Sequence, residues 1–179
     1  DRWSVFAQGD YDISEQLNLT VGARYTKEEK DAMRSLSVYG PDGNLAGLPI
    51  LGLWAAVLNV YPHNIMGSRE ESSFDPLVRF QYRMNDDLAF HVSYSEGSKG
   101  GGFDIRSNSA PGTATVTGAP AGTFEFQNED AENIELGLKY ASDRVQFNLT
   151  LFKTEYENQQ TSIFDGVLSF FVGNVSASE

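Results

Sequence analysis

Lys99 stands directly before three glycines, Gly100, Gly101 and Gly102, in the stretch YSEGSKGGGFD. A lysine beside a glycine-rich loop is the arrangement by which many proteins hold phosphate groups. That chemistry needs the lysine after the glycines, followed by a Ser or Thr and by a helix whose N-terminus faces the phosphates. Here the lysine comes first, and the next segment is too rich in Gly, Pro, Ser and Thr to form a helix. We therefore do not interpret the stretch as a phosphate-binding loop.

The other residues that could support catalysis or bind a metal are few. His63 and His91 are the only histidines and there is no cysteine, so the chain by itself offers no zinc or iron site. Glu132 and Glu135 would point to opposite faces of a strand, which prevents joint acid–base work. We predict no enzymatic activity, no bound metal and no cofactor. A weaker alternative is that acidic residues near loops attract Ca²⁺: Glu70, Glu71, Asp104, Glu125, Glu129 and Asp130.

The composition indicates an ordered chain rich in β-structure. The 179 residues include 40% hydrophobic residues, 12% aromatics and 17 glycines, which is typical of a folded β-protein rather than a disordered one. The net charge of −12 argues against nucleic acid as a partner, because nucleic-acid binding needs clustered Lys and Arg. No run of 18 apolar residues is present, so we predict no transmembrane helix.

Apolar and polar residues alternate with a period of two in three similar blocks. Each block predicts two strands joined by a turn of about four or five residues: WSVFAQGDY and LNLTVGARY, FDPLVRFQY and LAFHVSY, then ENIELGLKY and VQFNLTL. A weaker final hairpin is predicted from QTSIF and VLSFFVGN, with Asp165 and Gly166 as a two-residue turn. The connections between hairpins are much longer, at roughly 45 and then roughly 30 residues, which is unusual unless the loops are functional.

Two features favour a membrane barrel over a soluble sheet. Short turns at one end and long loops at the other reproduce the periplasmic and extracellular asymmetry of outer-membrane barrels. Aromatic residues also flank the apolar face at both ends, as in the girdles of such barrels: Trp3, Tyr25 and Tyr94 toward the long loops, and Tyr11, Tyr82 and Tyr140 near the short turns. Six or seven strands leave two open edges, so we interpret the chain as an arc of a larger barrel. A soluble β-sandwich binding module remains an alternative, because alternation alone does not separate the two.

Four segments resemble the TonB-dependent receptor family of bacterial outer membranes: FAQGDYDISEQLNLTVGARYTKEEK, YSEGSKGGGFD, ENIELGLKYASDRVQFNLTLFKTEYENQQ and FVGNVSAS. They follow the order of barrel segments in that family, and the resemblance is weakest from Ala32 to Ser72. It implies an all-β fold, an antiparallel transmembrane β-barrel segment with about 6–8 strands of a 22-stranded barrel, short periplasmic turns and long extracellular loops. Residues 1–179 would all belong to the barrel domain, and the plug domain, the TonB box and the C-terminal strands are absent from this sequence.

The resemblance also implies a function and a location. The function is active transport into the bacterium, across the outer membrane, of a scarce nutrient such as siderophore-bound iron, haem, cobalamin or an oligosaccharide. Energy would come from the TonB–ExbB–ExbD complex, acting through the plug. The other implied partners are outer-membrane lipid and lipopolysaccharide, the small nutrient ligand and a surface lipoprotein. A passive channel of the porin type is the second alternative, distinguished by whether the full gene encodes a plug upstream.

In that family a comparable motif, Y-S-x-G-x-K-x-G-G-F, lies where a barrel strand leaves the membrane for an extracellular loop. The glycines are then expected to let the backbone turn sharply with positive φ and pack closely. The first long loop contains LPILGLWAAVLNVYPHN, which is too apolar to be free in water, so we expect a short helix over the barrel mouth or an aromatic platform for the substrate or a partner protein. The candidate ligand-binding residues of the loops and lumen are Trp54, Tyr61, His63, Lys99, Phe103, Arg106, Arg79 and His91.

Overall fold

The computed structural model describes residues 1–37, 57, 60–112, 122–164 and 170–176. No helix within these ranges is long and apolar enough to cross a membrane. The strands of the described chain are β1 (Arg2–Asp12), β2 (Leu17–Leu36), β3 (His63–Arg83), β4 (Leu88–Lys99), β5 (Gly102–Phe103), β6 (Glu125–Phe126), β7 (Glu129–Ala141), β8 (Gln146–Glu157), β9 (Gln159–Phe164) and β10 (Phe170–Val175).

Six of the strands form one antiparallel sheet in the order β1-β2-β3-β4-β7-β8. The pairs β5–β6 and β9–β10 form separate two-stranded sheets. The three hairpins predicted from the alternating blocks are β1–β2, β3–β4 and β7–β8. The described strands therefore confirm an all-β, antiparallel architecture, and the six-stranded sheet does not close on itself within the part of the chain that is described.

The turns inside the three hairpins are short and similar. They comprise residues 13–16, 84–87 and 142–145. In the first two, successive amides donate to the carbonyl of the leucine that opens the next strand: Ile13 N lies 2.9 Å from Leu17 O, and Met84 N lies 2.9 Å from Leu88 O. The repeated contact gives both hairpins the same register at this end, which we call the turn end of the sheet.

One face of the sheet is apolar and open. A row of directly opposed partners crosses all six strands: Tyr11, Leu19, Phe80, Val92, Leu136 and Leu151. We call this side the apolar face. Leu136 and Leu151 are 53% and 61% exposed, whereas side chains of this kind are usually buried in a soluble protein. The strand register therefore gathers the apolar half of each alternating block on one uncovered surface.

The six aromatic residues predicted as girdles all lie on the apolar face by this register. Trp3 and Tyr25 pack together with ring centroids 5.6 Å apart. Tyr94 lies opposite Val78 and Ile134. Tyr11, Tyr82 and Tyr140 lie within two residues of the short turns. Their contact with a membrane boundary stays a prediction.

β2 and β3 extend far beyond the predicted strands. Their pairing continues without interruption to Leu36 opposite His63, so the connection comprises residues 37–62 and is shorter than the roughly 45 residues expected. The extension was missed because its residues are charged on both faces, which removes the apolar alternation. Ion pairs connect the two strands there; for example, Lys27 Nζ lies 2.5 Å from Glu70 Oε1. We call this end of the sheet the loop end.

The predicted final hairpin forms, but outside the main sheet. β9 follows β8 after a single residue, Asn158, whose φ of 52° turns the chain. Asp165 and Gly166 lie outside the described residues. Phe164 pairs with Phe170. A two-residue turn would instead require Phe164 to pair with the third residue after it, so the prediction of that turn is wrong.

Candidate functional site

Six of the best-buried side chains of the described residues lie at the loop end. They are Phe124, Phe171, Arg34, Asp104, Ser107 and Ser109, all less than 8% exposed. They come from three places: the extended β2, the segment 100–128 between β4 and β7, and β10. We use the name β4–β7 connection for the described residues between these strands, 100–112 and 122–128. It packs on the side of the β2–β3 extension opposite the apolar face, which we call the polar face.

Arg34 binds the backbone of the β4–β7 connection from both of its limbs. Its Nη1 donates to Asp104 O at 2.7 Å and to Thr123 O at 2.9 Å, and its Nη2 donates to Ser109 O at 2.8 Å. Arg34 also lies over the Phe124 ring, 5.3 Å from its centroid. Burial lowers the pKa of Arg34, against the opposing charge of Asp104, yet a guanidinium keeps its proton in proteins. The Arg34 cation thus joins β2 to three backbone carbonyls of the β4–β7 connection.

His63 accepts a further hydrogen bond from Arg34. Arg34 Nε donates to His63 Nε2 at 3.0 Å, and His63 Nδ1 lies 2.7 Å from Tyr61 O. Because a guanidinium only donates, Nε2 must accept and Nδ1–H must donate to the carbonyl, which requires a neutral ring. Tyr61 N in turn donates to Asn108 O at 3.0 Å. The predicted residues Tyr61 and His63 therefore contact each other, Tyr61 through its backbone carbonyl and His63 through its ring.

An alternating set of charges holds the base of the same segment. Lys30 Nζ lies 2.8 Å from Glu28 Oε2 and donates to Gly101 O at 2.6 Å. Arg69 lies 2.7 Å from Glu71 and 2.9 Å from Glu125. Burial lowers the pKa of Arg69, but its hydrogen bonds to the two carboxylates outweigh this effect and raise it overall. The charges are paired in space, although Glu28 lies directly opposite Glu71 across the strands.

The glycines after Lys99 allow this close docking. A Cβ on Gly100 would lie 2.5 Å from Glu28 Oε2, and one on Gly101 would lie 2.5 Å from Phe126 O and 2.7 Å from the Arg69 guanidinium. Positive φ occurs at Gly112 among the described glycines and not at Gly100, Gly101 or Gly102. The expectation of close packing is met, and the expectation of positive φ is wrong.

Asp104 links the β4–β7 connection to the β9–β10 hairpin. Its Oδ2 accepts from Val172 N at 2.9 Å, and its Oδ1 accepts from Arg106 N at 2.9 Å. Further along, Gln160 Nε2 donates to Gly100 O and to Gln127 O, both at 3.0 Å. The connection therefore contacts both the β2–β3 extension and the β9–β10 hairpin, and the three elements form one assembly at the loop end.

The other predicted ligand residues fall in different places. Phe103 packs on Phe124 with ring centroids 4.9 Å apart. Lys99 is 62% exposed, with Nζ 3.7 Å from Glu129. Arg106 contacts Asp104 as described above. Trp54 lies outside the described residues. Direct ligand contact by any of these residues stays a prediction.

Arg79 and His91 lie on the polar face of the main sheet, away from the loop end. His91 is 6% exposed, and its Nε2 lies 2.8 Å from Glu135 Oε1. The ring occupies the space beside Gly137, where a Cβ would overlap it. His91 is thus partnered by the next strand on the polar face, and ligand contact by His91 or Arg79 stays a prediction.

A cavity of about 330 Å³ lies where β3 and β4 separate. Their pairing ends at Leu77 opposite Ser95, whereas β4 and β7 stay paired up to Lys99. The acidic residues that line the cavity are Asp75, Glu96, Asp130, Glu132, Glu155 and Glu157. Groups of three or more His, Asp or Glu placed to hold a metal ion are not found in the described ranges. Of the six acidic residues suggested for Ca²⁺, Glu71 and Glu125 instead pair with Arg69.

Sequence reasoning missed the residues that organise the assembly, Arg34, Arg69 and Lys30. For Lys30 and Arg34 a signal was present, because Glu28, Lys30 and Arg34 are spaced by two and then four residues, which places all three on one face of a strand. The charged run concealed it, because apolar alternation is the usual criterion for a strand.

Comparisons with known proteins agree on one family of folds. A family model described as "TonB dependent receptor-like, beta-barrel" matches residues 1–178. The ferric yersiniabactin uptake receptor FyuA from Yersinia pestis superposes with a TM-score of 0.62 at 17% identity, covering 89% of this chain and 20% of that one. A double mutant of the Serratia marcescens hemophore receptor HasR, in complex with its hemophore HasA and heme, gives a TM-score of 0.54 at 14% identity, covering 99% of this chain and 30% of that one. The chain spans less than a third of either structure. A search of curated proteins found no match.

Proposed function

The chain belongs to the TonB-dependent receptor family, as part of its β-barrel, and on that basis we propose that it is a section of an outer-membrane transporter that imports a scarce nutrient. The observation that carries the proposal is the family match over residues 1–178. The energy source is the TonB–ExbB–ExbD complex, and the location is the bacterial outer membrane. Ferric siderophores and haem are the leading substrate classes, because the two similar structures are a ferric yersiniabactin receptor and a hemophore receptor with heme.

The apolar face supports placement in a lipid bilayer. The row from Tyr11 to Leu151 contains apolar or aromatic residues on all six strands. In a closed barrel every backbone N–H and C=O has a partner, so lipid can surround such a face without unsatisfied polar groups. On this proposal Phe80, Val92, Leu136 and Leu151 face lipid, and the polar face lines the lumen.

The assembly at the loop end supports ligand capture outside the cell. Phe103, Arg106, Tyr61 and His63 all belong to it or contact it. Aromatic rings and guanidinium groups together suit large planar or anionic chelates, because the rings supply apolar area and the guanidinium binds carboxylate or phenolate oxygens. Captured ligand would then pass along the polar face, where Arg79 and His91 are the proposed contacts.

The test is uptake by cells that express the protein as their sole transporter of this type. A panel of ferric siderophores, haem, cobalamin and oligosaccharides is supplied with and without proton motive force. The proposal expects uptake of one ligand class that is lost when the membrane is de-energised. Uptake that continues without energy identifies a passive porin-type channel. Recovery of the protein in the aqueous fraction without detergent identifies a soluble sheet instead.

A further inference from the structure

We propose that Met33 and Met66 form a binding site for a soft monovalent metal cation, of the class of Cu(I) and Ag(I), on the apolar-face side of the β2–β3 extension. The two thioether sulfurs bind the ion, and Asp31 supplies negative charge beside it. The site lies on the opposite side of the extension from the β4–β7 connection. It therefore goes beyond the proposed function and does not depend on which nutrient is transported.

The strand register brings the two methionines together. Met33 of β2 is the direct partner of Met66 of β3. Directly opposed residues of an antiparallel pair share a face, with Cβ atoms about 4.5–5.5 Å apart. A methionine side chain is unbranched and has three rotatable bonds, so both sulfurs can turn toward one ion held between them.

Both side chains are accessible to an ion from solution. Met33 is 63% exposed and Met66 is 74% exposed. They line an open recess of about 540 Å³ together with four neighbours: Asp31, Ala32, Gly67 and Ser68. The β4–β7 connection packs on the other side, because a Cβ on Gly67 would lie 2.5 Å from the Phe103 ring. The recess is therefore separate from the assembly on the polar face.

Contact with lipid does not account for this exposed pair. On β2 the aromatic girdle ends at Tyr25, and Met33 lies eight residues further along the strand, a distance of about 26 Å. Lys27, Glu29 and Asp31 occupy the same face between them, and charged side chains are unfavourable against lipid. The methionine pair therefore lies beyond the apolar band, where exposed apolar side chains need another explanation.

The donor atoms select the class of metal. Thioether sulfur is a soft ligand that favours Cu(I), whereas zinc takes thiolate and imidazole ligands, and calcium and magnesium take several oxygens. The chain contains no cysteine, and within the part of the chain that is described no group of three or more His, Asp or Glu is placed to hold a metal ion. The expectation of no bound metal rested on histidine and cysteine and did not consider thioether sulfur.

The charge beside the pair matches a monovalent ion. Asp31 lies on the same face as Met33, two residues before it, and is directly opposite Ser68. Lys27 of the same face does not neutralise Asp31, because its Nζ lies 2.5 Å from Glu70 and 3.6 Å from Glu29. One carboxylate thus offsets one positive charge, and the net charge of −12 favours the approach of cations.

Silver titration of the detergent-purified protein tests the site. Calorimetry in chloride-free buffer measures the affinity for Ag(I), which keeps its oxidation state in air. Met33→Leu and Met66→Leu remove one sulfur each and keep an apolar side chain of similar volume. Met84→Leu is the matched control, because Met84 is the third methionine of the chain and is 54% exposed, but lies in the turn between β3 and β4. The compact form on unheated gels verifies that each variant is folded.

The unaltered protein and Met84→Leu should bind silver with equal affinity. Met33→Leu and Met66→Leu should each weaken binding at least about tenfold, because even groups that only orient metal ligands contribute that much. Asp31→Asn should weaken it by a smaller factor, since both sulfurs remain. The proposal is overturned if the unaltered protein does not bind silver, if either variant of the pair binds as well as the control, or if excess Ca²⁺ displaces the silver. Binding in detergent does not require transport, so a protein without energised uptake can pass this test and a true transporter can fail it.

Discussion

The ring of His91 occupies the space where a side chain at residue 137 would project, and its Nε2 binds Glu135 Oε1 at 2.8 Å. Gly137 lies directly opposite His91 in the pairing of β4 with β7. The glycine therefore allows an imidazole to lie flat against the neighbouring strand and to reach a carboxylate two residues along it. The contact joins β4 and β7, which among the described strands are the only neighbours in the main sheet that other strands separate in the chain.

Gly137→Ala should destabilise the barrel, because its methyl group overlaps the buried His91 ring. We expect a loss of about 1–3 kcal/mol in the free energy of unfolding, the usual cost of overpacking. The measurement is the urea midpoint, read from the loss of the compact form on unheated gels. Gly9→Ala is the control, because nothing lies within 4 Å of a Cβ there. A double variant with His91→Ala should recover most of the loss; failure to recover would mean that the ring is not the obstacle.

Gly101→Ala should displace the β4–β7 connection. Its Cβ would lie 2.5 Å from Phe126 O and 2.7 Å from Arg69 Cζ, and the Arg69 guanidinium is held in place by its ion pairs with Glu71 and Glu125. Limited proteolysis of intact cells should cut the connection about ten times faster, which corresponds to about 1.4 kcal/mol of lost docking energy. Gly97→Ala, with open space around its Cβ, should be cut at the original rate. Equal rates in both variants would contradict the docking role.

Arg69→Ala should lower the free energy of unfolding more than Glu125→Gln, which removes the charge of its more exposed partner. Glu71 is 16% exposed, and without Arg69 its largely buried charge would keep only the longer contact to Lys30 at 3.9 Å, which costs up to about 3 kcal/mol in comparable cases. Glu125 is 46% exposed, so Glu125→Gln should change stability by less than about 1 kcal/mol. Urea unfolding monitored by fluorescence separates the two effects. Comparable losses of unfolding free energy in the two variants would contradict the prediction that the more buried contact of Arg69 contributes more to stability.

Adjacent residues of β8 test which face meets lipid. Leu151 lies on the apolar face and Phe152 on the polar face, and they are 61% and 72% exposed. Leu151→Arg should reduce assembly into the outer membrane, because an arginine facing mid-bilayer costs about 2–4 kcal/mol. Phe152→Arg, next to Glu135 across the strands, should assemble normally. Membrane fractionation measures both, and equal yields would argue against lipid on the apolar face.

Much of the main sheet could be predicted from the sequence because its cause is local. Alternation in stretches such as Leu17 to Tyr25 reports directly which side chains share a face, and turn residues such as 13–16 interrupt it at regular places. The prediction stopped where charge replaced apolar alternation, after Tyr25 and before Phe74. There the strands persist because of pairing between them, which neither segment shows alone.

What the sequence by itself determined is the set of hairpins, their apolar face and the family resemblance, since each depends on the order of residues within a short window. Only the tertiary structure decided that Arg34 meets Asp104, Ser109 and Thr123, partners 70 to 89 positions away. It also decided that the glycines after Lys99 serve close packing rather than positive φ. Such contacts depend on how separate loops meet in space, and a buried cation is stabilised by whichever carbonyls surround it, whatever their distance along the chain.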